Sequence, residues 1–184
     1  VSDDMKLYYT LDGSTPTEKS TLYDGGKISL EKTTVLRTYI IQNGRVPSAV
    51  MTYPYFINEN HNLPVANIAI DPELMFGENG IYVDYNESIE HKGNLSFFEK
   101  DGYFSIDCGI ELSGAGSRKN DKKSFRMKFR GKYGQSSLSY QLFGGDEITE
   151  FKSLRLRSGE DFALSIFGDE LVAELASQCM NNTL

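Results

Sequence analysis

The sequence predicts a mainly β protein, of α+β character in its second part. Three observations carry that prediction. Eleven Tyr and eleven Phe stand among 184 residues with no Trp, in many short segments that alternate apolar and polar side chains. Seventeen Gly and repeated Asp-Gly, Asn-Gly and Gly-Gly dipeptides separate those segments. Helical spacing of apolar residues is clear in one place only, near the C-terminus.

Residues 6–11 (Lys-Leu-Tyr-Tyr-Thr-Leu) read as a first strand, broken by the turn chemistry of Asp12-Gly13-Ser14-Thr15-Pro16. Residues 27–30 read as a second, short strand. Residues 34–42 form a third, rich in β-branched and aromatic side chains and closed by the hairpin signal Asn43-Gly44. Residues 48–57 form a fourth, which Pro54 confines to a sheet edge or end. The polar run Asn58-Glu59-Asn60-His61-Asn62 is a linker.

A second unit follows Leu63-Pro64. Residues 65–70 read as an apolar strand, and Asp71-Pro72-Glu73 as the start of a brief helix with Asp as cap and Pro at its first position. Residues 80–83 read as a strand. Residues 94–99 and 103–112 form a hairpin around Lys100-Asp101-Gly102, and 124–130 and 150–157 continue the sheet. The closing helix spans about 165–180, with Phe167, Leu171, Val172, Leu175, Ala176 and Cys179 as its buried stripe and Glu170 and Glu174 on its flank.

The charge distribution points to function. Net charge is −7, yet residues 111–157 hold eleven of the nineteen Lys and Arg against five acids, so this segment is +6 and the rest −13. Along 124–130, alternation puts Phe125, Met127 and Phe129 on one face and Arg126, Lys128 and Arg130 on the other, with Lys122 preceding on the same parity. A basic face asks for an anion, commonly phosphate; it also fits a solvated strand face or an edge guarded by charge. Arg155 and Arg157 repeat the pattern on the last strand, and two such faces side by side repel unless an anion or carboxylates lie between them. Gly114-Ala115-Gly116 reads either as a loop whose backbone amides approach phosphate or as a plain strand-to-strand turn. Gly114, Gly116, Ser117, Arg118, Lys122, Arg126 and Lys128 are the candidate phosphate-binding residues. Lys123 is the weaker neighbour of Lys122, because it shares parity with Phe125. Glu170 or Glu174 is a candidate to orient Lys122, with plain helix-surface acids as the alternative.

Other chemistry finds little support in the sequence. His61 and His91 lie in polar contexts without a second ligand at metal spacing, so no metal set is predicted. Asp161 and Asp169 suit a helix start. Ser14, Ser117 and Ser165 lack a nucleophile-elbow pattern, and no catalytic residue is assigned. Cys108 and Cys179 read as two thiols, with a disulfide as the alternative. The acidic total argues against nucleic acid as main partner. No apolar run is long enough to span a membrane. The start at Val1, without Met or signal peptide, suggests a processed or excised piece.

Two family resemblances add to this reading. Tyr8-Tyr9-Thr10-Leu11-Asp12-Gly13-Ser14-Thr15-Pro16-Thr17, followed by 33–39, Gly44 and 48–50, resembles the chitobiase/β-hexosaminidase C-terminal-type domain. That resemblance implies an immunoglobulin-like β-sandwich over residues 1–58, short of its leading strands, serving as an accessory module on secreted bacterial proteins. From Leu63 onward the chain is similar to the opening half of the CotH (spore coat protein H) kinase-like family. Leu63-Pro64-Val65, 80–83, 114–128 with Ser117-Arg118 and Lys122-Lys123-Ser124-Phe125-Arg126-Met127-Lys128, Tyr133-Gly134, Leu142-Phe143 and 151–157 fall in the family's order. Where the family often has Arg before the first Gly of the turn, this chain has Ser113. The resemblance implies, for 63–184, the ATP phosphate-binding half of an atypical protein kinase on a secreted or cell-surface protein, using ATP with Mg or Mn. The family's metal-binding aspartates belong to segments expected after Leu184, so this stretch alone is expected to be inactive. The phosphoacceptor would be a protein hydroxyl. The alternative from another class is a non-enzymatic cell-surface module that binds polysaccharide or spaces domains.

Overall fold

The structure, a computed structural model, describes residues 4–142 and 148–158. The chain is mainly β, in antiparallel sheets. Its elements are β1 (Met5–Thr10), β2 (Thr21–Leu22), β3 (Thr34–Gln42), β4 (Met51–Tyr55), β5 (Val65–Ile70), α1 (Pro72–Phe76), β6 (His91–Glu99), β7 (Gly102–Ser113), β8 (Ser124–Lys128), β9 (Leu138–Ser139), β10 (Glu150–Phe151) and β11 (Ser153–Leu156). One sheet has the order β2-β1-β3-β4, a second β11-β8-β7-β6-β5, and β9 and β10 make a two-stranded ribbon. Contacts group the described residues of 4–80 and 93–106 as one compact unit, and those of 81–92 and 107–158 as another. The expected closing helix, with Glu170, Glu174 and Cys179, lies outside the described residues, as do Asp161, Ser165 and Asp169.

In the first unit β3 is the central strand, pairing with β1 on one side and β4 on the other. Its β-branched and aromatic residues suit a position bonded along both edges. The Asp12–Pro16 turn is bound to the sheet by the buried Arg37, whose Nη1 donates to the Gly13 carbonyl (3.0 Å) and to Thr15 Oγ1 (3.2 Å). Asp12 Oδ1 accepts from the Ser14 amide and hydroxyl, and the Ser14 hydroxyl is the main cause holding its carboxyl below the usual range. The Thr15 amide donates to Asp71 Oδ2 at 2.7 Å. Asp71 also caps α1 through the Glu73 amide, with Pro72 following it, as the sequence predicts.

Two strand expectations fail. Residues 27–30 are irregular, and Thr21–Leu22 pairs with β1 instead. With β3 on its other side, β1 has no edge left for 27–30. Residues 80–83 form turns, not a strand. Gly80 comes so close to the end of α1 that a Cβ there would stand 2.5 Å from the Met75 carbonyl oxygen. The expected strand 150–157 is divided into β10 and β11 at Lys152, whose carbonyl accepts from the Phe129 amide.

In the second unit, β7, β8 and β11 sort their faces as alternation requires. Cys108, Ile110 and Leu112 lie beside Phe125, Met127, Leu154 and Leu156 on the apolar face. Cys108, Ile110 and Met127 are fully buried there. Gly109, Glu111, Arg126, Lys128 and Arg155 occupy the opposite face.

A candidate anion-binding site on the second unit

Two features of this unit bear on function, and both begin at β8. The first is its charged row. Register places Glu111 across from Arg126 and Gly109 across from Lys128. Lys128 Nζ lies 2.7 Å from Glu111 Oε2 and 3.3 Å from Glu90 Oε2. Arg130 Nη2 is 3.1 Å from Glu90 Oε2, and Lys132 Nζ is 3.3 Å from Glu90 Oε1. Tyr133 donates its hydroxyl to Glu90 Oε1 at 2.8 Å, and Arg126 Nη1 is 3.7 Å from Glu111. The two carboxylates are the covered members, with side chains 13% and 14% exposed, and the cations form the rim. Burial, the largest single influence, pushes the Glu90 carboxyl up. The Tyr133 hydroxyl, Lys132, Lys128 and Arg130 together outweigh it and hold the group below the usual glutamate range.

Carboxylates thus lie among the basic side chains of β8 and the turn after it, whereas Arg126 and Arg155, on the neighbouring strands β8 and β11, stand directly opposite each other. Glu90 went unrecognised because it lies in a polar loop 38 residues before Lys128. The one local signal is Gly109, a glycine in the middle of an apolar strand. A Cβ there would lie 2.6 Å from both Glu90 Oε1 and Tyr133 Cε2, so the missing side chain makes room for the carboxylate. Four cations face two carboxylates here, an excess of +2. Arg155, exposed and directly opposite Arg126, adds to it.

The second feature is the turn between β7 and β8. Gly114 has φ +107°, and a Cβ at that position would collide with Ser117 Oγ, so glycine is required there. Residues Gly116–Lys119 form one 3-10 turn, and Arg118 Nε reaches back to the Gly114 carbonyl at 2.8 Å. Beside it opens a hollow of about 590 Å³ lined by Tyr85, Asn86, Gly114, Ala115, Gly116, Arg118 and Lys119. The Ser113 hydroxyl, at the foot of the turn, is buried without a hydrogen-bond partner.

The predicted site residues thus fall into two groups. Gly114, Gly116 and Arg118 line the hollow, with Ser117 packed beneath Gly114. Arg126 and Lys128 belong to the carboxylate cluster. Lys122 is exposed and is not among the lining residues. Strand parity does not reach Lys122 or Lys123, because β8 begins at Ser124. Lys123 is the buried one: its Nζ donates to the Arg118 and Asn120 carbonyls and lies 4.6 Å and 4.9 Å from the ring centres of Tyr82 and Tyr85. His61 pairs with Glu59 in an exposed loop, and His91 opens β6. Among the described residues no group of three or more His, Cys, Asp or Glu is placed to hold a metal ion. No helix among them is long and apolar enough to cross a membrane.

No curated protein and no solved structure matches the chain. The family model of the chitobiase/beta-hexosaminidase C-terminal domain matches residues 1–52, the segment that contains β1, β2, β3 and the Asp12–Pro16 turn.

Proposed function

We propose that residues 63–184 hold the phosphate-binding part of a CotH-type kinase-like domain, carried on a secreted or cell-surface protein in which residues 1–58 form an accessory β module. The observation that carries this reading is the Gly114 turn. A glycine held at positive φ and Arg118 and Lys119 after it border one hollow. Exposed backbone and cationic side chains of this kind suit the oxygens of a nucleotide's phosphates. Lys128, held by Glu111 and Glu90, supports the same reading: in protein kinases a strand lysine that meets phosphate is held by a glutamate. ATP supplies the phosphoryl group that such a domain transfers to a protein hydroxyl. This chain's residues would bind and orient its phosphates and offset their charge. The described residues include no carboxylate set for Mg or Mn, so no step is assigned to a metal.

The test is an NMR titration of the chain with millimolar ATP and Mg²⁺, repeated with Arg118→Ala. The amides of Gly114 and Gly116 should shift in the parent, and the variant should bind about tenfold more weakly. Absence of any shift at the turn, or equal binding by the variant, overturns the reading. A second reading, a non-enzymatic carbohydrate-binding module, is favoured by β4, where Met51, Tyr53 and Tyr55 are exposed on one face of an edge strand. Tyrosine rings so placed suit stacking on sugar faces. Glycan-array binding that disappears in a Tyr53→Ser, Tyr55→Ser variant would establish it.

A further inference from the structure

We infer that Lys123 is the positioning residue of the anion site at the Gly114 turn, an inference that rests on the phosphate-binding reading above. A buried charge is ordinarily matched by an opposite charge. Lys123 is 9% exposed, yet among the described residues it makes no salt bridge. Its ammonium is satisfied by two backbone carbonyls, those of Arg118 and Asn120, and by the faces of Tyr82 and Tyr85. Carbonyl dipoles and ring quadrupoles solvate a cation without neutralising it. Arg118 and Tyr85, two of these partners, also line the hollow. The positive charge therefore lies one residue layer behind the hollow wall, in a partly dry setting where its field is weakly screened.

The same contacts fix geometry. Lys123 binds the carbonyls that end the 3-10 turn Gly116–Lys119, and the Tyr82 hydroxyl donates to the neighbouring Asp121 carbonyl. One ammonium thus holds the turn, orients Tyr85 at the rim and supplies the field. The ligand class this favours carries several negative charges in a short span, as a di- or triphosphate does. A neutral or singly charged ligand would gain little from it. Arg118 and Lys119 make the contacts at the wall, and Lys123 acts through them.

The experiment compares adenosine, ADP, ATP and inorganic pyrophosphate binding to the parent chain and to Lys123→Met. Methionine keeps the length and apolar stem while removing the charge. ATP, ADP and pyrophosphate should bind at least tenfold more weakly to the variant, with adenosine binding unchanged. Equal weakening of all four ligands, or no weakening, overturns the inference. If the parent itself fails to bind ATP and pyrophosphate at the turn, the phosphate-binding reading fails first, a separate result. Should the variant not fold, the parent decides. Pyrophosphate that shifts the Gly114 amide should also slow proton exchange of the Lys123 ammonium, and an unchanged rate overturns the proposal.

Discussion

Replacing Glu90 by Gln tests the electrostatic reading of the charged sheet face most directly. The substitution preserves shape and leaves an oxygen to accept from Tyr133. It removes the charge that Lys128, Arg130 and Lys132 share. Breaking a fully buried ion pair costs about 3–5 kcal/mol, whereas an exposed one contributes about 0–1 kcal/mol. Glu90 is largely covered but its partners are 23–58% exposed, so about 1–2 kcal/mol is expected, between those limits. That corresponds to a fall in Tm of roughly 2–8 °C for a chain of this size. Salt should narrow the difference, because screening acts on the exposed partners. The pH dependence has a definite sign. The folded-state pKa of Glu90 is depressed, so its stabilisation is fully present above the unfolded value of about 4.3 and is lost as pH falls through the folded value. Asp12, Glu59 and Glu150 are also depressed and titrate in the same acid range. The informative quantity is therefore the difference between parent and Gln variant, followed by thermal melts from pH 7 down to the acid limb. That difference should shrink toward zero as pH drops below about 4. A gap that stays constant, or widens, would refute the charge-hub account.

Two further substitutions probe the supporting geometry. Gly109→Ala places a methyl against Glu90 and Tyr133 and should destabilise the second unit by about 1–3 kcal/mol, as overpacking does, read as a fall in urea midpoint; a neutral effect would mean the carboxylate is free to move aside. Arg37→Met leaves the Gly13 carbonyl without its donor and should cost about 1–3 kcal/mol. Amide exchange at Thr15 should speed up in that variant as the Asp12–Pro16 turn loosens. Unchanged Thr15 exchange in Arg37→Met would show that the turn holds without its clamp.

How much was legible in advance differs from element to element. β3 and β5 have the bounds read from the sequence, because a run of β-branched and apolar residues between turn signals leaves few alternatives. The Asp71-Pro72 start of α1 was legible because a cap acts on backbone amides two residues away. The failures at 27–30 and 80–83 have another origin: a strand exists only where a neighbour offers a free edge, and local propensity does not contain that neighbour.

By itself the sequence determined the β-rich class, the sorting of β8 into an apolar and a basic face, and the presence of a glycine-bearing turn between β7 and β8. Each follows from chemistry within a few residues: side-chain alternation, turn preference and the freedom of a residue without Cβ. Tertiary structure alone decided what the basic face meets and which lysine is buried. Glu90 arrives from 38 residues away into space left by Gly109, and Lys123 turns inward because Tyr82 and Tyr85 stand near it. Charges act through space, and the distances that set their strength come into being only when the chain folds.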